Sequence, residues 1–166
     1  AADKTAPLLT APLEGITAMA LHGRSSAVIG SYFRCLGNAY QIANDILNFK
    51  SKDGAIENGS DLVKRAPNAV VVLFRNGLNE ATKARFDSWY VSGRTDELIK
   101  WQQTILESSA INLASLKMNS ILDESSNLAT SLPVELVEVV TPVQKMLRQV
   151  CKKSVTTLMN SSIVTF

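Results

Sequence analysis

Gln41, Asn44, Asp45 and Asn48 recur at steps of one, three and four within a single patterned stretch. Side chains three and four apart are neighbours on a helix, so this spacing turns four oxygen-bearing groups to one side. Convergent hard oxygens suit Mg²⁺, with water and a substrate phosphate completing the shell. A polar loop follows and closes on Gly59-Ser60-Asp61-Leu62, which supplies a second acid. Taken singly, each residue has a plainer reading. Asn44, Asp45 and Asn48 fit a solvated helix face, Gln41 a surface amide, and Asp61 the cap of a turn.

The elements that must position these groups read as helices. Ile29, Phe33, Leu36, Tyr40, Ala43 and Leu47 alternate in steps of four and three, an apolar stripe over residues 26–50 with Ser25-Ser26 as its N-cap. Residues 3–22 read as a helix disturbed by Pro7 and Pro12 and closed by Gly23, with His22 at its end. Residues 50–66 read as a long loop of the kind that binds or covers a ligand. Pro67 opens a helix over 67–76. Its Val70-Val71-Val72-Leu73-Phe74 run has strand propensity but no second strand to pair with. A helix over 79–91 ends at Gly93, and Thr95 caps a long helix over about 96–123. Pro133 starts a last helix with Leu136, Val140, Val143, Leu147 and Val150 on one face and a kink at Pro142. The class is all-α.

The chain has 166 residues and a net charge of +2, which predicts one domain and gives no footprint for nucleic acid. No apolar run approaches the roughly 20 residues needed to span a bilayer, and no signal peptide is visible, so a soluble cytoplasmic protein is the simplest expectation. Cys35 and Cys151 lie far apart, and Cys35 reads as a buried reduced thiol. Tyr40, Trp89 and Trp101 read as core aromatics. Tyr40 or Phe33 would otherwise line an apolar pocket, where an aromatic face stabilises a cation.

The stretch resembles the second aspartate-rich region of the trans-isoprenyl diphosphate synthases. Their pattern runs Phe-Gln-x-x-Asp-Asp-x-x-Asp, a loop, then Gly-Ser/Thr-Asp-Leu. Tyr40-Gln41 matches the aromatic–Gln pair, Asn44-Asp45 with Asn48 the acidic triplet, and Gly59-Ser60-Asp61-Leu62 the closing element. Lys4-Thr5-Ala6 with Leu8-Leu9 is similar to the family's Lys-Thr element, so order and spacing agree over about residues 3–75. The resemblance implies an isoprenoid-synthase-type antiparallel helical bundle around a central cavity, of which residues 1–166 are the C-terminal portion. It implies Mg²⁺-dependent chemistry on an allylic prenyl diphosphate, with isopentenyl diphosphate as the second substrate of chain elongation. Asn44, Asp45 and Asn48 would face the metal, and Lys4, Thr5, Tyr40, Gln41 and Asp61 the substrate. Lys4 and Asp45 would carry the ionisation.

The departures from the pattern matter as much. Two of the three acids are amides, which removes two charges and weakens the hold on a metal. The loop lysine expected three residues before Gly59 is Ile56, and the basic Gly-Lys segment after Asp-Leu is Val63-Lys64-Arg65-Ala66. Lys64-Arg65 reads as a solvated pair. No Asp-Asp pair occurs anywhere in the chain, so the family's first aspartate-rich motif would have to come from a missing N-terminal half or a partner chain, in an oligomer. Asn44-Asp45 with Asn48 is also similar to the terpene-cyclase pattern Asn-Asp-x-x-Ser-x-x-x-Glu, although its last position is Lys52. Chain elongation, a synthase-derived terpene cyclase and a non-catalytic subunit of a heteromeric synthase are therefore the competing expectations. An unrelated helical interaction domain is the remaining one.

Overall fold

A computed structural model describes residues 24–49 and 61–161, with side chains over 27–49 and 61–152. Among these residues seven helices and no strand are found: α1 (Arg24–Leu47), α2 (Asp61–Lys64), α3 (Ala69–Asn76), α4 (Glu80–Ser92), α5 (Leu98–Glu107), α6 (Ala110–Ala129) and α7 (Val134–Ser161). None of them is long and apolar enough to cross a membrane. The chain divides into two compact units, Ala1–Ala43 with Lys117–Phe166 and Asn44–Leu116. Helices α1 and α6 contribute to both.

In the first unit the stripe on α1 does its expected work. Ile29, Phe33, Leu36 and Ala43 are buried, joined by Tyr32 and Ala39. They pack with Met118 and Leu122 of α6 and with Val140, Leu147 and Cys151 of α7. Fully burying a side chain such as Ile29 or Leu36 contributes about 1.5–3 kcal/mol. Tyr40 is half-buried against this cluster. Tyr32 sets its ring edge-on to Phe33 at 5.1 Å and donates its hydroxyl to the Val140 carbonyl at 3.1 Å. A polar latch lies beside the core. Gln144 donates to the Ser125 and Ser126 hydroxyls at 2.9 and 2.7 Å, and Arg148 donates to the Leu122 carbonyl and to Asp123, each at 2.8 Å.

The second unit is built on aromatic rings. Phe86 packs against Phe74 at 5.4 Å and Trp101 at 5.1 Å, both edge-on, and Trp89 lies 5.9 Å from Trp101. Edge-to-face pairs of this kind add about 0.5–1.5 kcal/mol each beyond burial. Asn79 caps α4 by accepting from the Thr82 amide, and Gly93 ends it in the left-handed region at φ 69°. A residue with a Cβ is strained there, which is why glycine closes this helix. Arg75 of α3 meets Asp87 of α4 as a two-pronged fork, both N–O distances being 2.6 Å.

Several expected boundaries move. Ser25-Ser26 lies inside α1 rather than capping it. Leu47 is exposed and Ile46 is buried in its place. Residues 61–64 are helical rather than loop, and the helix expected from 67 begins at Ala69 with Asn68 as its cap. The Val70–Phe74 run is helical, as the absence of a partner strand required. The long helix expected over 96–123 is two helices. Ser108 takes an extended backbone, donates its hydroxyl to the Ile105 carbonyl at 2.7 Å and accepts from the Ala110 amide at 3.2 Å. A serine that bonds its own backbone offers an alternative to the helical ladder, and here it wins. Thr95 is correspondingly no side-chain cap: the cap position belongs to Glu97, which makes no side-chain cap bond. In the last helix Pro133 stands just outside, with its carbonyl accepting from Leu136 and Val137, and α7 runs on through Pro142. Val150 is exposed and Cys151 takes its place in the core. Cys35, expected buried, is only half-buried, and both thiols are free. The helix expected over 3–22, Pro7, Pro12 and His22 lie outside the described residues.

Candidate functional site

The last turns of α1 carry the patterned residues. Asn44 is half-buried, Asp45 is 4% exposed, and Asn48 is exposed in the turn that ends the helix. Asn48 is held there by its own backbone: its amide N–H donates to the Asn44 carbonyl at 3.0 Å, and its side-chain nitrogen reaches the same oxygen at 3.3 Å. That side-chain nitrogen also donates to Asp61 Oδ2 at 2.8 Å. Asp61 opens α2, thirteen residues further on, and is half-buried. The two ends of the sequence pattern thus meet.

Asn68 completes the arrangement. It is 3% exposed, and its nitrogen donates to Asp61 Oδ2 at 2.9 Å and to the Asp45 carbonyl at 3.1 Å. Its Oδ1 accepts from the Val70 and Val71 amides at 2.9 and 3.4 Å. The amide before these, that of Ala69, donates to Asp45 Oδ2 at 2.8 Å. The first amides of a helix have no partner within it. Asp45 and Asn68 between them satisfy those of α3, and a carboxylate at a helix N-terminus gains further from the helix dipole. The acid singled out by the sequence pattern therefore anchors a neighbouring helix as well.

This network lies wholly within the second unit, whereas Tyr40 and Gln41 are half-buried on the α1 segment of the first. Lys4 and Thr5 fall outside the described residues, as do Lys52, Ile56 and Gly59-Ser60 of the loop. Among the described residues no group of three or more His, Cys, Asp or Glu side chains gathers. The donors that do gather are the carboxylates of Asp45 and Asp61 and the amides of Asn48 and Asn68. Both amides present nitrogens to Asp61 and the Asn68 oxygen caps α3, so the hard oxygens that Mg²⁺ prefers would have to come chiefly from the two carboxylates, with two negative charges. Asp61 Oδ2 accepts from two side-chain amides and Asp45 Oδ2 from the Ala69 amide, so both carboxylates already serve hydrogen bonds.

Two residues escaped the sequence reading. Asn68 was legible in principle, since Pro67-Asn68 before an apolar run is a cap signal. Arg65, read as half of a solvated pair with Lys64, is only partly solvated. Lys64 is exposed, but Arg65 is half-buried with a left-handed backbone at φ 54°. Its guanidinium stacks 3.8 Å from the Trp89 ring centroid and donates to the Leu62 carbonyl at 2.8 Å and to the Arg94 carbonyl. Burial pulls the Arg65 pKa down, partly opposed by Tyr90. Nothing in the residue order signals that conformation. Compared with models of protein families, with curated proteins and with solved structures, the chain matches none.

Proposed function

We propose that this chain is the diphosphate-facing, C-terminal portion of an isoprenoid-synthase-type helical bundle, and that it takes part in Mg²⁺-dependent prenyl transfer on allylic diphosphates. One observation carries the reading. Asp45 and Asp61, placed by the sequence pattern on either side of a loop, belong to one hydrogen-bonded cluster, Asp61 by its carboxylate through Asn48 and Asn68, and Asp45 by its main-chain carbonyl to Asn68 and its carboxylate to the Ala69 amide. That closure would hold both acids at one end of α1, where the pattern requires them. A second acidic cluster, from another segment or a partner chain of the oligomer, would complete the site.

The chemistry divides simply. A Mg²⁺ held by Asp45 with the Asn44 and Asn48 amide oxygens would act as a Lewis acid on the leaving diphosphate. Asp45 would fix the position of the metal–diphosphate, Lys4 and Thr5 would hold diphosphate oxygens, and Gln41 and Asp61 would orient the bound waters. Tyr40 would turn an aromatic face to the prenyl chain, and the apolar walls would keep water from the carbocation. Isopentenyl diphosphate would then capture that cation.

A second reading is favoured by a specific bond. An acid at position 48 would need a bridging cation to stand 2.8 Å from Asp61, whereas Asn48 meets it with an amide N–H and needs none. This lessens the demand for metal on that side, and it suits a synthase-derived terpene cyclase or a non-catalytic subunit better than an elongating enzyme. The test is turnover by the native assembly with Mg²⁺ and allylic diphosphates. Longer diphosphates formed only with isopentenyl diphosphate would support elongation. Hydrocarbon or alcohol formed without it would support the cyclase, and no turnover the non-catalytic subunit. Asp45→Asn keeps an acceptor for the Ala69 amide but removes the charge. It is expected to abolish diphosphate release, as is Asp45→Ala. Unchanged release in a folded Asp45→Asn assembly would overturn the site.

A further inference from the structure

A cleft of about 430 Å³ opens in the second unit, on residues the isoprenoid reading does not use apart from the capping Asn68. Its volume lies in the lower part of the range of small-molecule sites, roughly 300–1,000 Å³. Pro67, Val71, Val72, Phe86, Tyr90 and Val91 give it apolar walls. Val72 is 52% exposed and Val91 86%, so hydrocarbon is presented to solvent at its rim.

The charge is uneven. Arg75 and Asp87, both at the cleft, neutralise each other through their fork. Arg65, also at the cleft, forms no ion pair among the described residues. One cation is therefore uncompensated in a largely apolar recess. Holding it there is costly in two ways: its backbone is left-handed, and its Nε is buried without a hydrogen-bond partner among the described residues. Stacking on the Trp89 ring and bonds to two carbonyl oxygens offset that cost and fix the plane of the guanidinium. Strain that persists because the surroundings over-determine it is a feature of ligand clamps. The Tyr90 ring, 5.3 Å from the same guanidinium, fixes it further, and the Tyr90 hydroxyl is tied to the Ala66 carbonyl at 3.1 Å.

We propose that this cleft binds a small soluble amphipathic anion, an oxyanion head paired with Arg65 and a compact hydrocarbon group laid against Val71, Val72 and Val91. Arginine is suited to phosphate and carboxylate heads alike. The recess is too small for an extended chain, so the head belongs to a free metabolite rather than to a lipid in a bilayer. Occupancy also bears on the helix cap, because Asn68 lines the cleft while bonding Asp61 and the Asp45 carbonyl.

Trp89 under the guanidinium is a built-in probe. The full chain is titrated with hexyl phosphate, with hexanol and inorganic phosphate as controls lacking one half of the ligand, and with phosphatidylcholine vesicles containing phosphatidic acid. Saturable change in tryptophan emission is expected with millimolar or lower hexyl phosphate, and at least ten-fold weaker response to either control. Arg65→Gly relieves the backbone and removes the charge, and it is expected to weaken hexyl phosphate binding at least ten-fold. Val72→Asp, on the exposed wall and away from Arg65, should weaken it similarly by placing an anion in the recess. Equal affinity for hexanol, unchanged binding in either folded variant, no saturable response, or binding to vesicles alone would each overturn the proposal. None of these results depends on prenyl turnover, so this proposal and the isoprenoid reading fail separately.

Discussion

Asn68 is the residue whose removal should be most informative. Its side chain makes four hydrogen bonds, two accepted from α3 amides and two donated to the Asp45 carbonyl and Asp61. Asn68→Ala deletes a helix cap, costing about 0.5–2 kcal/mol. It also strips a donor from a buried carbonyl and a half-buried carboxylate, at about 1–3 kcal/mol for an unsatisfied buried group. Partial exposure of Asp61 softens the second term, so we expect about 2–4 kcal/mol in all, or roughly 5–12 °C in Tm for a chain of this length. Both tryptophans, Trp89 and Trp101, lie in the second unit, so urea unfolding followed by tryptophan emission reports on the unit that holds Asn68. Asn68→Asp separates the two halves of the effect. It keeps the cap acceptor but sets a carboxylate against Asp61, and like charges at this range raise each other's pKa in the folded state. A raised folded pKa means stability that is full below the ordinary carboxylate range and falls as pH rises through the raised value. The variant should therefore be nearest to wild type in acid and weakest near neutrality. A loss under about 1 kcal/mol for Asn68→Ala, or pH-independent wild-type stability for Asn68→Asp, would refute the network.

Other outcomes follow from the same geometry. Asn48→Asp replaces the donor to Asp61 with an acid, so it should lose about 1 kcal/mol in the presence of a chelator, an exposed site keeping the figure small. Millimolar Mg²⁺ should restore it by binding the folded state; denaturation curves that ignore Mg²⁺ would tell against a cation at this position. Tyr32→Phe should cost about 1 kcal/mol for the bond to the Val140 carbonyl. Burial pushes the Tyr32 phenol up to about 12 from 10, with Arg148 opposing. Its contribution is thus complete below pH 10 and lost as pH rises through about 12. The difference in alkaline stability between wild type and Tyr32→Phe should shrink over that window, and a constant difference would show that the phenol is not held as described.

Where the sequence could be read, it was read through punctuation. Asn79 and Gly93 bracket α4 because a side-chain cap and a left-handed turn need those residue types. Strict heptad spacing served less well at the ends of stripes. On α7 the positions 136, 140, 143, 147 and 150 drift by about 20° per heptad against a straight helix. By the last of them Val150 has turned out of the core and Cys151 has turned in. On α1 the exchange of Leu47 for Ile46 has a different cause, since residues from Asn44 onward belong to another unit with other neighbours. The break at Ser108 was hidden because serine is tolerated within helices, and only its side-chain bonds decide. Of the candidate site, Asp45, Asn48 and Asp61 were legible from spacing. The cap at Asn68 was legible in principle, but its bonds to Asp61 and Asp45 and the stacking of Arg65 were not, because they depend on which groups the fold brings beside them.

The boundary between the two units falls between Ala43 and Asn44, inside a helix that runs unbroken from Arg24 to Leu47. Only the last turn of α1 lies beyond that boundary, but the other boundary, between Leu116 and Lys117, falls well inside α6. Neither unit can therefore melt alone without opening that helical ladder, where each new end leaves several backbone groups unbonded. The penalty ties the two transitions together like a shared axle. It can be watched without labels, because the buried thiol of Cys151, whose ionisation burial disfavours, lies in the unit that lacks tryptophan. Thiol reactivity and tryptophan emission are therefore expected to change at the same denaturant concentration, and the width of any gap between them measures how stiff that axle is.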